Sequence, residues 1–216
     1  MIIDQLFQTN PWSTHLPNDG SNIGGTMPEN TALIPRPASA PDGILLYIKG
    51  GPYASFEAYQ MRPVLPHNGG LQLLFSLQPD LNAATSAQAI EVDTILTVGG
   101  WTYNLSMQIN YEEEGMIQVA DATGKWVDTG VKIGLLDPAT VTRFSVLYEF
   151  DEAKHTSAVR HVMVGPTVHD IPEALQNIPA VQKGWTDGAI MQVQLDTNAR
   201  GGEFSVSVDG CSYVWS

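Results

Sequence analysis

The chain has 216 residues, 43% of them hydrophobic and 15% charged, which suits one folded domain with a sizeable core and excludes disorder over the whole chain. Its 23 acidic and 10 basic residues give a formal net charge of −13 at pH 7, and such a surface repels nucleic acid. One cysteine, Cys211, excludes an internal disulfide, so stability has to come from buried apolar surface.

The N-terminal sequence MIIDQLFQTNPW has neither a basic leader nor a long apolar stretch. No run in the chain approaches the ~18 apolar residues of a membrane span. We therefore expect a cytoplasmic protein without membrane contact for the chain as written. A secreted protein from which a leader was removed is the alternative.

Residues 1–41 contain six prolines and no sustained periodicity, which predicts an extended, irregular arm packed on one sandwich domain, 42–216. Trp12, Leu16 and the run 31–34 are its candidate anchors, where the arm covers a sheet edge. Docking of the arm to a neighbouring subunit is a second hypothesis, under which the protein has a structural or assembly role.

From residue 42 onward, short apolar or alternating runs are separated by Gly, Pro, Asn and Asp every 8 to 12 residues, a spacing typical of β-sandwiches. One short helix or 3₁₀ turn is expected within 171–177, where Pro172 precedes Glu173. Twelve strands are predicted: 44–49, 55–61, 71–77, 89–98, 103–111, 116–120, 126–133, 143–150, 158–164, 190–197, 203–208 and 212–215.

Several of these runs alternate between apolar and polar residues. Within 103–111, Leu105, Met107 and Ile109 share one face, and the polar residues between them share the other. Glycine-rich connections such as 98–101 and 198–202 favour tight hairpins, and hairpins make neighbouring strands antiparallel. The fold class predicted from the pattern is all-β: an antiparallel sandwich of two sheets.

The segments AIEVDTILTV, GGWTYNLSMQINY, GMIQVAD, GKWVDTGVKIG, GAIMQVQLDTN, GGEFSVSVDG and CSYVWS together resemble, in pattern, the concanavalin A-like lectin and glucanase superfamily. The resemblance covers roughly residues 89–216. It implies a jelly-roll sandwich in which a concave sheet carries a carbohydrate site.

Retaining glucanases of that superfamily have a strand motif that begins Glu-x-Asp and ends in a second Glu two or three residues later. Glu91 and Asp93 match its beginning, but Ile95 and Leu96 stand where the second Glu belongs. A retaining glycosidase needs two carboxyl groups ~5 Å apart, one of which donates a proton. A classical glucanase activity is therefore not expected, and a carbohydrate-binding, lectin-like module is the first hypothesis.

Polar side chains at alternating strand positions are the predicted ligand site, because amides and carboxylates on a fixed sheet bind hydroxyl groups while an aromatic ring supports a sugar ring. The alternative is that they form only the solvated side of a half-buried sheet. A carbohydrate or another small molecule is the expected partner. The candidate residues are Glu91, Asp93, Asn104, Gln108, Asn110, Gln118, Gln192 and Gln194, with Trp101, Trp126 or Trp185 as the aromatic support.

An enzyme on the same fold is the alternative function, either a polysaccharide lyase or a small-molecule isomerase or cyclase with its ligand in the sandwich cleft. A lyase that acts on uronic acids needs a base and a group that neutralises the sugar carboxylate. His161, Tyr111 and Arg62, with Gln108, are the candidates for these roles. Arg160, which is adjacent to His161 on a strand, is expected to point to the opposite face.

No cofactor is expected, because the sequence has no phosphate loop, dinucleotide fingerprint or nucleophile elbow. The histidines lack the spacing of transition-metal ligands. Calcium stays open, since loops that begin at Asp121, Asp128 and Asp196 offer oxygen ligands without a complete loop signature. The same residues are also common in turns.

Overall fold

A computed structural model describes residues 2–5, 12–16, 26–36, 43–62, 69–121, 123–175 and 178–215. Two antiparallel sheets account for nearly all of the regular structure, so the predicted all-β fold is confirmed. Within these ranges no helix has the length and hydropathy that a membrane span requires.

The first sheet has nine strands, and its main order is β13-β12-β11-β6-β17-β4-β3. Two short strands extend it, since β1 pairs with β17 and β14 pairs with β12. In chain order its strands are β1 (Ile2–Gln5), β3 (Pro28–Arg36), β4 (Gly43–Gly50), β6 (Gly69–Pro79), β11 (Thr142–Asp151), β12 (Thr156–Val164), β13 (Thr167–Asp170), β14 (Ile178–Pro179) and β17 (Gly202–Trp215).

The second sheet has eight strands in the main order β10-β9-β8-β7-β16-β5-β2, with β15 paired to β8. Strand β16 lies between β7 and β5, and both of these neighbours are distant from it in the sequence. In chain order its strands are β2 (Ser13–His15), β5 (Ser55–Arg62), β7 (Ala87–Val98), β8 (Trp101–Asn110), β9 (Met116–Ala120), β10 (Trp126–Lys132), β15 (Val181–Gln182) and β16 (Gly188–Thr197).

The core lies between the two sheets and is built by alternate residues of their central strands. On β6, Leu71, Leu73, Phe75 and Leu77 all point into it and are at most 2% exposed. A polar contact also crosses the core, where the Thr94 and Tyr213 hydroxyls lie 3.2 Å apart. The contributing apolar side chains of the second sheet are Phe56, Ala58, Ile90, Val92, Leu96, Tyr103, Leu105, Met107, Ile109, Ile117, Val119, Met191, Val193 and Leu195.

The N-terminal arm is more regular than predicted in the parts that the structure describes. They form β1, β2 and β3, because an extended segment satisfies its backbone groups by pairing at a sheet edge. The predicted anchors hold, since Trp12 and Leu16 pack partly buried against the core and residues 31–34 lie within β3. Residues 6–11, 17–25 and 37–42 lie outside the described part of the arm.

The predicted strands coincide with observed ones to within two residues at their ends, except that 203–208 and 212–215 are one strand, β17. A register shift between Asp209 and Ser212 interrupts its pairing with β6, and Gly210 has a positive φ of 63° there. A 3₁₀ turn spans Glu173–Leu175, as expected. One four-residue helix, α1 (Ala83–Ser86), was not predicted.

Candidate functional site

The candidate site is the face of the second sheet that points away from the core, which we call the polar face. Even-numbered residues of β7, from Ile90 to Leu96, point into the core, so the odd-numbered ones point outward. On β8 the parity is reversed, and the antiparallel register places Glu91 opposite Gln108 and Asp93 opposite Ser106. The predicted polar residues therefore lie on one surface: Glu91, Asp93, Asn104, Gln108, Asn110, Gln118, Gln192 and Gln194.

One row of this face crosses all seven strands of the main sheet order with a hydrogen-bonding side chain on each. Neighbouring members are directly paired in the strand register, so the row follows the hydrogen-bonding direction of the sheet. At a strand spacing of about 4.8 Å, seven strands span about 29 Å. From one edge to the other the row is His15, Glu57, Gln194, Glu91, Gln108, Gln118 and Asp128.

The half of the row on β8, β9 and β10 is a chain of amide hydrogen bonds. Gln108 Nε2 donates to Gln118 Oε1, and Gln118 Nε2 donates to Asp128 Oδ1. Asn110 Nδ2 donates to the same Gln118 oxygen at 3.3 Å. Gln108 and Gln118 are 5% and 6% exposed, so these bonds fix the orientation of two buried amides.

The part of the polar face on β7 and β16, in and beside the row, combines amides with carboxyl groups. Gln192 Nε2 donates to Asp93 Oδ2 at 3.0 Å. Gln194 Nε2 donates to both carboxyl oxygens of Asp196, at 3.0 and 3.2 Å. The amide nitrogens of Gln192 and Gln194 are therefore used within the protein, and this orients their side chains on the face.

Four carboxyl groups, Glu57, Glu91, Asp93 and Asp196, form what we call the carboxyl cluster. Burial raises the pKa of Glu91 well above its usual range, and the neighbouring Asp196 and Asp93 carboxyls add to the rise. Burial likewise raises the pKa of Asp93 to about 7. The pKa values of Glu57 and Asp196 are also raised, chiefly by burial. The cluster therefore retains protons that ordinary carboxyl groups lose well below neutral pH.

Asp93 belongs to the cluster and is 5% exposed. Its Oδ2 atom accepts from Gln192, and a hydrogen bond from the Ser106 side chain partly offsets the rise of its pKa. Two positively charged or titratable basic side chains lie on the described polar face, both at its edges. His15 is on β2, where it lowers the pKa of Glu57, and Lys132 is on β10, where its ammonium group lies 3.3 Å from Glu114.

Two aromatic side chains lie on the polar face, and one of them was not predicted. Trp126 pairs with Ala120 in the register and shares the face of Asp128, as expected. Tyr59 lies opposite Gln192 on β5. Both are half-buried, so each presents part of its ring to solvent.

Trp101 is not part of this surface, contrary to the prediction. It begins β8 and points to the same side of the sheet as Tyr103, so it packs against the core. Its ring stacks on that of His155, with 3.9 Å between the centroids. Trp185 lies outside the strands, is 47% exposed and has Lys183 over its ring at 4.3 Å.

The three residues proposed for a lyase lie in separate parts of the molecule. Arg62 is in register with Tyr103 across the sheet. Tyr111 follows the last residue of β8, eight residues and about 26 Å along the strand direction from Tyr103. Tyr111 is 7% exposed and belongs to the core. His161 lies on the first sheet, where its Nδ1 is 2.6 Å from Asp170 Oδ1. These side chains do not meet at one site.

Arg160 and His161 were expected to point to opposite faces of their strand, and this prediction is wrong. The register of β12 shifts so that His161 pairs with Leu147 and Val159 pairs with Tyr148, which leaves Arg160 as the extra residue of a β-bulge. Arg160 Nε lies 2.7 Å from Glu149 Oε2 on the outer side of the first sheet. Both basic side chains therefore bind carboxylates on the same side of that sheet.

The positions that would carry the second glucanase acid hold apolar side chains in different environments. Ile95 follows Glu91 and Asp93 on the outer face, and Leu96 is fully buried in the core. Asp196 instead brings a third carboxyl group to Glu91, from the neighbouring strand β16. No carboxyl group of the β7 motif replaces the missing one.

The loop at Asp121 is a turn in which the carboxylate is already used. Asp121 Oδ1 accepts hydrogen bonds from the Thr123 amide, the Thr123 hydroxyl and the Lys125 amide, at 2.7 to 3.0 Å. These bonds lower the pKa of Asp121. Within the described ranges, no three His, Cys, Asp or Glu side chains are grouped in a way that would hold a metal ion.

Two shallow grooves lie on the outer side of the first sheet. One, of about 470 Å³, contains the Glu149–Arg160 pair and the Asp151–Lys154 pair. The other, of about 520 Å³, has Arg143 and Asp209 among its lining residues. The basic groups of the first groove are held by carboxylates of the same surface, so they are already neutralised.

Sequence reasoning missed several members of the polar face. Glu57 and Tyr59 alternate with Phe56 and Ala58 on β5, a signal that was present but short. The others come from strand register, which places residues far apart in the sequence side by side. The missed members are His15, Glu57, Tyr59, Asp128 and Asp196.

No protein-family model matches the chain, and no curated protein matches it in sequence. Solved structures do match. The Emp47p carbohydrate recognition domain aligns with TM-score 0.52 and 12% identity over 98% of this chain and 93% of that one. An endo-1,3-β-glucanase from Streptomyces sioyaensis aligns with TM-score 0.50 and 11% identity over 100% and 96%.

The alginate lyase vAL-1 from a Chlorella virus also aligns, with TM-score 0.50 and 8% identity over 87% of this chain and 89% of that one. The chain spans 57% of the length of a further match, a structure of carbohydrate-binding modules from the β-sandwich superfamily, with TM-score 0.48. At these identities the likeness concerns the fold. The chain thus has the same antiparallel two-sheet sandwich fold as these proteins, as the sequence pattern indicated.

Proposed function

We propose that the protein is a carbohydrate-binding, lectin-like domain that holds its ligand along the polar face. The observation that carries the proposal is the row of seven hydrogen-bonding side chains, one on each strand of the main sheet order. Sugar hydroxyls both donate and accept hydrogen bonds, and a row of fixed amides and carboxyl groups offers both kinds of partner. Its length of about 29 Å suits an oligosaccharide better than a single small molecule.

The half-buried members of the face are the groups that reach solvent. Glu91, Asn104, Asn110 and Gln192 are partly exposed, whereas Gln108, Gln118 and Gln194 are at most 7% exposed. We therefore assign ligand contact to the first group and the support of those contacts to the second. A fixed supporting layer lowers the entropy lost on binding.

Tyr59 on β5 and Trp126 on β10 lie on the polar face, on opposite sides of the sheet centre. An aromatic ring offers an apolar surface to the C–H face of a sugar ring. The Emp47p domain, whose name gives carbohydrate as its ligand, has the same fold. The alginate lyase vAL-1 also has this fold, but in this chain the three candidate residues of the lyase alternative lie apart.

A glycan array followed by isothermal titration calorimetry on the best ligand tests the proposal. Gln192→Ala should weaken binding at least about tenfold, because its side chain is partly exposed and oriented by Asp93. Gln72→Ala is the matched control, since Gln72 is also a half-buried glutamine on the outer face of a central strand, but of the first sheet. The proposal fails if no glycan binds at millimolar concentration, or if both variants bind like the wild type.

A further inference from the structure

Building on the carbohydrate-binding function proposed above, we infer that the polar face selects neutral glycans whose sugars carry acetyl groups. The inference starts from three aliphatic side chains that interrupt this face, Met61, Ile190 and Ile95, which we call the apolar strip. Ile190 is directly paired with Met61 on one side and with Ile95 on the other, so the strip crosses the adjacent strands β5, β16 and β7. Met61 is 62% exposed and both isoleucines are half-buried, so a ligand on the polar face can reach all three.

The apolar strip runs parallel to the row of hydrogen-bonding side chains. Gln192 and Asp93 lie between the two, each two residues along its strand from the strip and about 7 Å away. A glycan chain that follows the row and contacts Gln192 therefore has one edge directed at the strip over several sugars. A group repeated on each sugar contacts the strip along its length, whereas a group at the end of the chain meets it only once.

The strip is one row of side chains wide. Beyond it, Thr97 and Thr102 are paired in the register, and their hydroxyl groups lie 3.2 Å apart. Polar rows thus bound the strip on both sides, each about 7 Å from it. This width suits a group of methyl size, because an apolar helix, at about 10–12 Å across, needs a broader surface. A partner protein that docks by such a helix is therefore not the expected occupant.

An acetyl group also matches the polar side chain at the end of the strip. Asn104 on β8 is directly paired with Ile95 and is half-buried, so it continues the line of the strip. Its amide carries hydrogen-bond donors, and an acetyl group combines a carbonyl oxygen that accepts them with an apolar methyl group. The methyl group contacts the isoleucines while the oxygen accepts from Asn104. Asp93, the carboxyl group of the adjoining row, is 5% exposed, so the strip adjoins little exposed charge.

The experiment compares cellotetraose with the tetrasaccharide of chitin. Both are neutral and share a β-1,4-linked backbone, but the second carries an acetamido group in place of one hydroxyl group on each sugar. Each is titrated calorimetrically into the full-length protein at pH 7. Removal of one methyl group from water corresponds to about fourfold in affinity. With two acetyl groups on the strip, we expect the chitin tetrasaccharide to bind at least about tenfold more tightly and with a more negative heat-capacity change.

Ile190→Thr should reduce the ratio of the two affinities, because it places a hydroxyl group in the middle of the strip and retains a β-branched side chain. Met61→Gln tests the strip a second time, at its most exposed position. Ile34→Thr is the matched control, since Ile34 is an isoleucine of strand β3 in the first sheet and is 49% exposed. It should leave the ratio unchanged, and urea unfolding of each variant checks that it is folded.

Equal affinities for the two probes, or a preference for cellotetraose, would overturn the selectivity and leave the carbohydrate-binding function in place. A preference for the chitin tetrasaccharide that neither Ile190→Thr nor Met61→Gln reduces would also overturn it, because the acetyl groups would then bind elsewhere. If neither probe binds, the best ligand of the glycan array decides. A ligand with acetyl groups supports the selectivity, one without them overturns it, and an empty array means that the carbohydrate-binding function fails as well.

Discussion

Asp93→Asn is expected to stabilise the protein at neutral and alkaline pH, and hardly at all near pH 4. Burial raises the pKa of Asp93 from 3.8 to about 7 in the folded protein, so the folded state binds a proton more tightly than the unfolded chain does. Between these two values the unfolded chain gives up its proton and the folded protein keeps it. Stability is therefore fully present below about pH 4 and is lost as the pH rises towards 7.

The magnitude follows from the difference between the two pKa values. One pKa unit corresponds to about 1.4 kcal/mol, so ionised Asp93 lowers the free energy of unfolding by about 4 kcal/mol above pH 7. Asparagine has the same shape, carries no charge and retains an oxygen that accepts from Gln192. The variant should thus gain about 4 kcal/mol over the wild type at pH 8, and well under 1 kcal/mol at pH 4.

Urea unfolding of both proteins at pH 4 and pH 8 measures this difference, and groups that titrate equally in the two proteins cancel. Glu112→Gln is the control, since it removes one negative charge from an exposed turn residue. A variant that is destabilised at pH 8, or whose advantage is the same at both pH values, would refute the reasoning.

Three further changes test the packing of the fold. Thr197→Val should lower the free energy of unfolding by about 1–3 kcal/mol, because it removes the hydroxyl that accepts from the Ala54 amide at 2.7 Å. Thr197→Ser retains that hydroxyl and should keep most of the stability in urea denaturation. Gly124→Ala should lower the free energy of unfolding by about 1–2 kcal/mol, because the φ of this residue is positive. Gly115→Ala should cost more, since its new Cβ would lie 2.0 Å from a backbone oxygen, and equal melting temperatures would contradict this. Cys211 is 2% exposed, and burial raises the pKa of its thiol. Iodoacetamide should therefore modify it at pH 8 only as fast as the protein unfolds. Rapid modification of the folded protein would be inconsistent with this packing.

The membership of the polar face was predictable where the strand alternation is regular. Gln108 lies between Met107 and Ile109, and Gln192 lies between Met191 and Val193, so each was assigned to the side opposite the core. Period-two alternation is enough for this because successive side chains of a strand point to opposite faces. The same pattern contains no information on which strands are neighbours.

The predictions failed where a local feature breaks the alternation. The bulge at Arg160 turns two consecutive basic residues to the same side, and the hydropathy of β12 gives no sign of it. Trp101 begins its strand on the side that faces the core, and its ring stacks on His155 from the turn between β11 and β12. A contact between the two sheets of this kind depends on how the sheets pack, which the sequence of one strand does not specify.

The carboxyl cluster could not be predicted from the sequence, because it depends on which strands are neighbours in the sheet. Glu57, Glu91 and Asp196 are neighbours only because β16 lies between β5 and β7 in the sheet. Each carboxyl group is raised in pKa mainly by burial, so together they lower the stability of the folded protein at neutral pH. Buried, mutually repelling groups of this kind are typical of functional sites, where binding is favoured at the expense of stability. If Asp93→Asn stabilises the protein at pH 8 and at the same time weakens glycan binding, the strain at neutral pH and the binding function have the same physical cause.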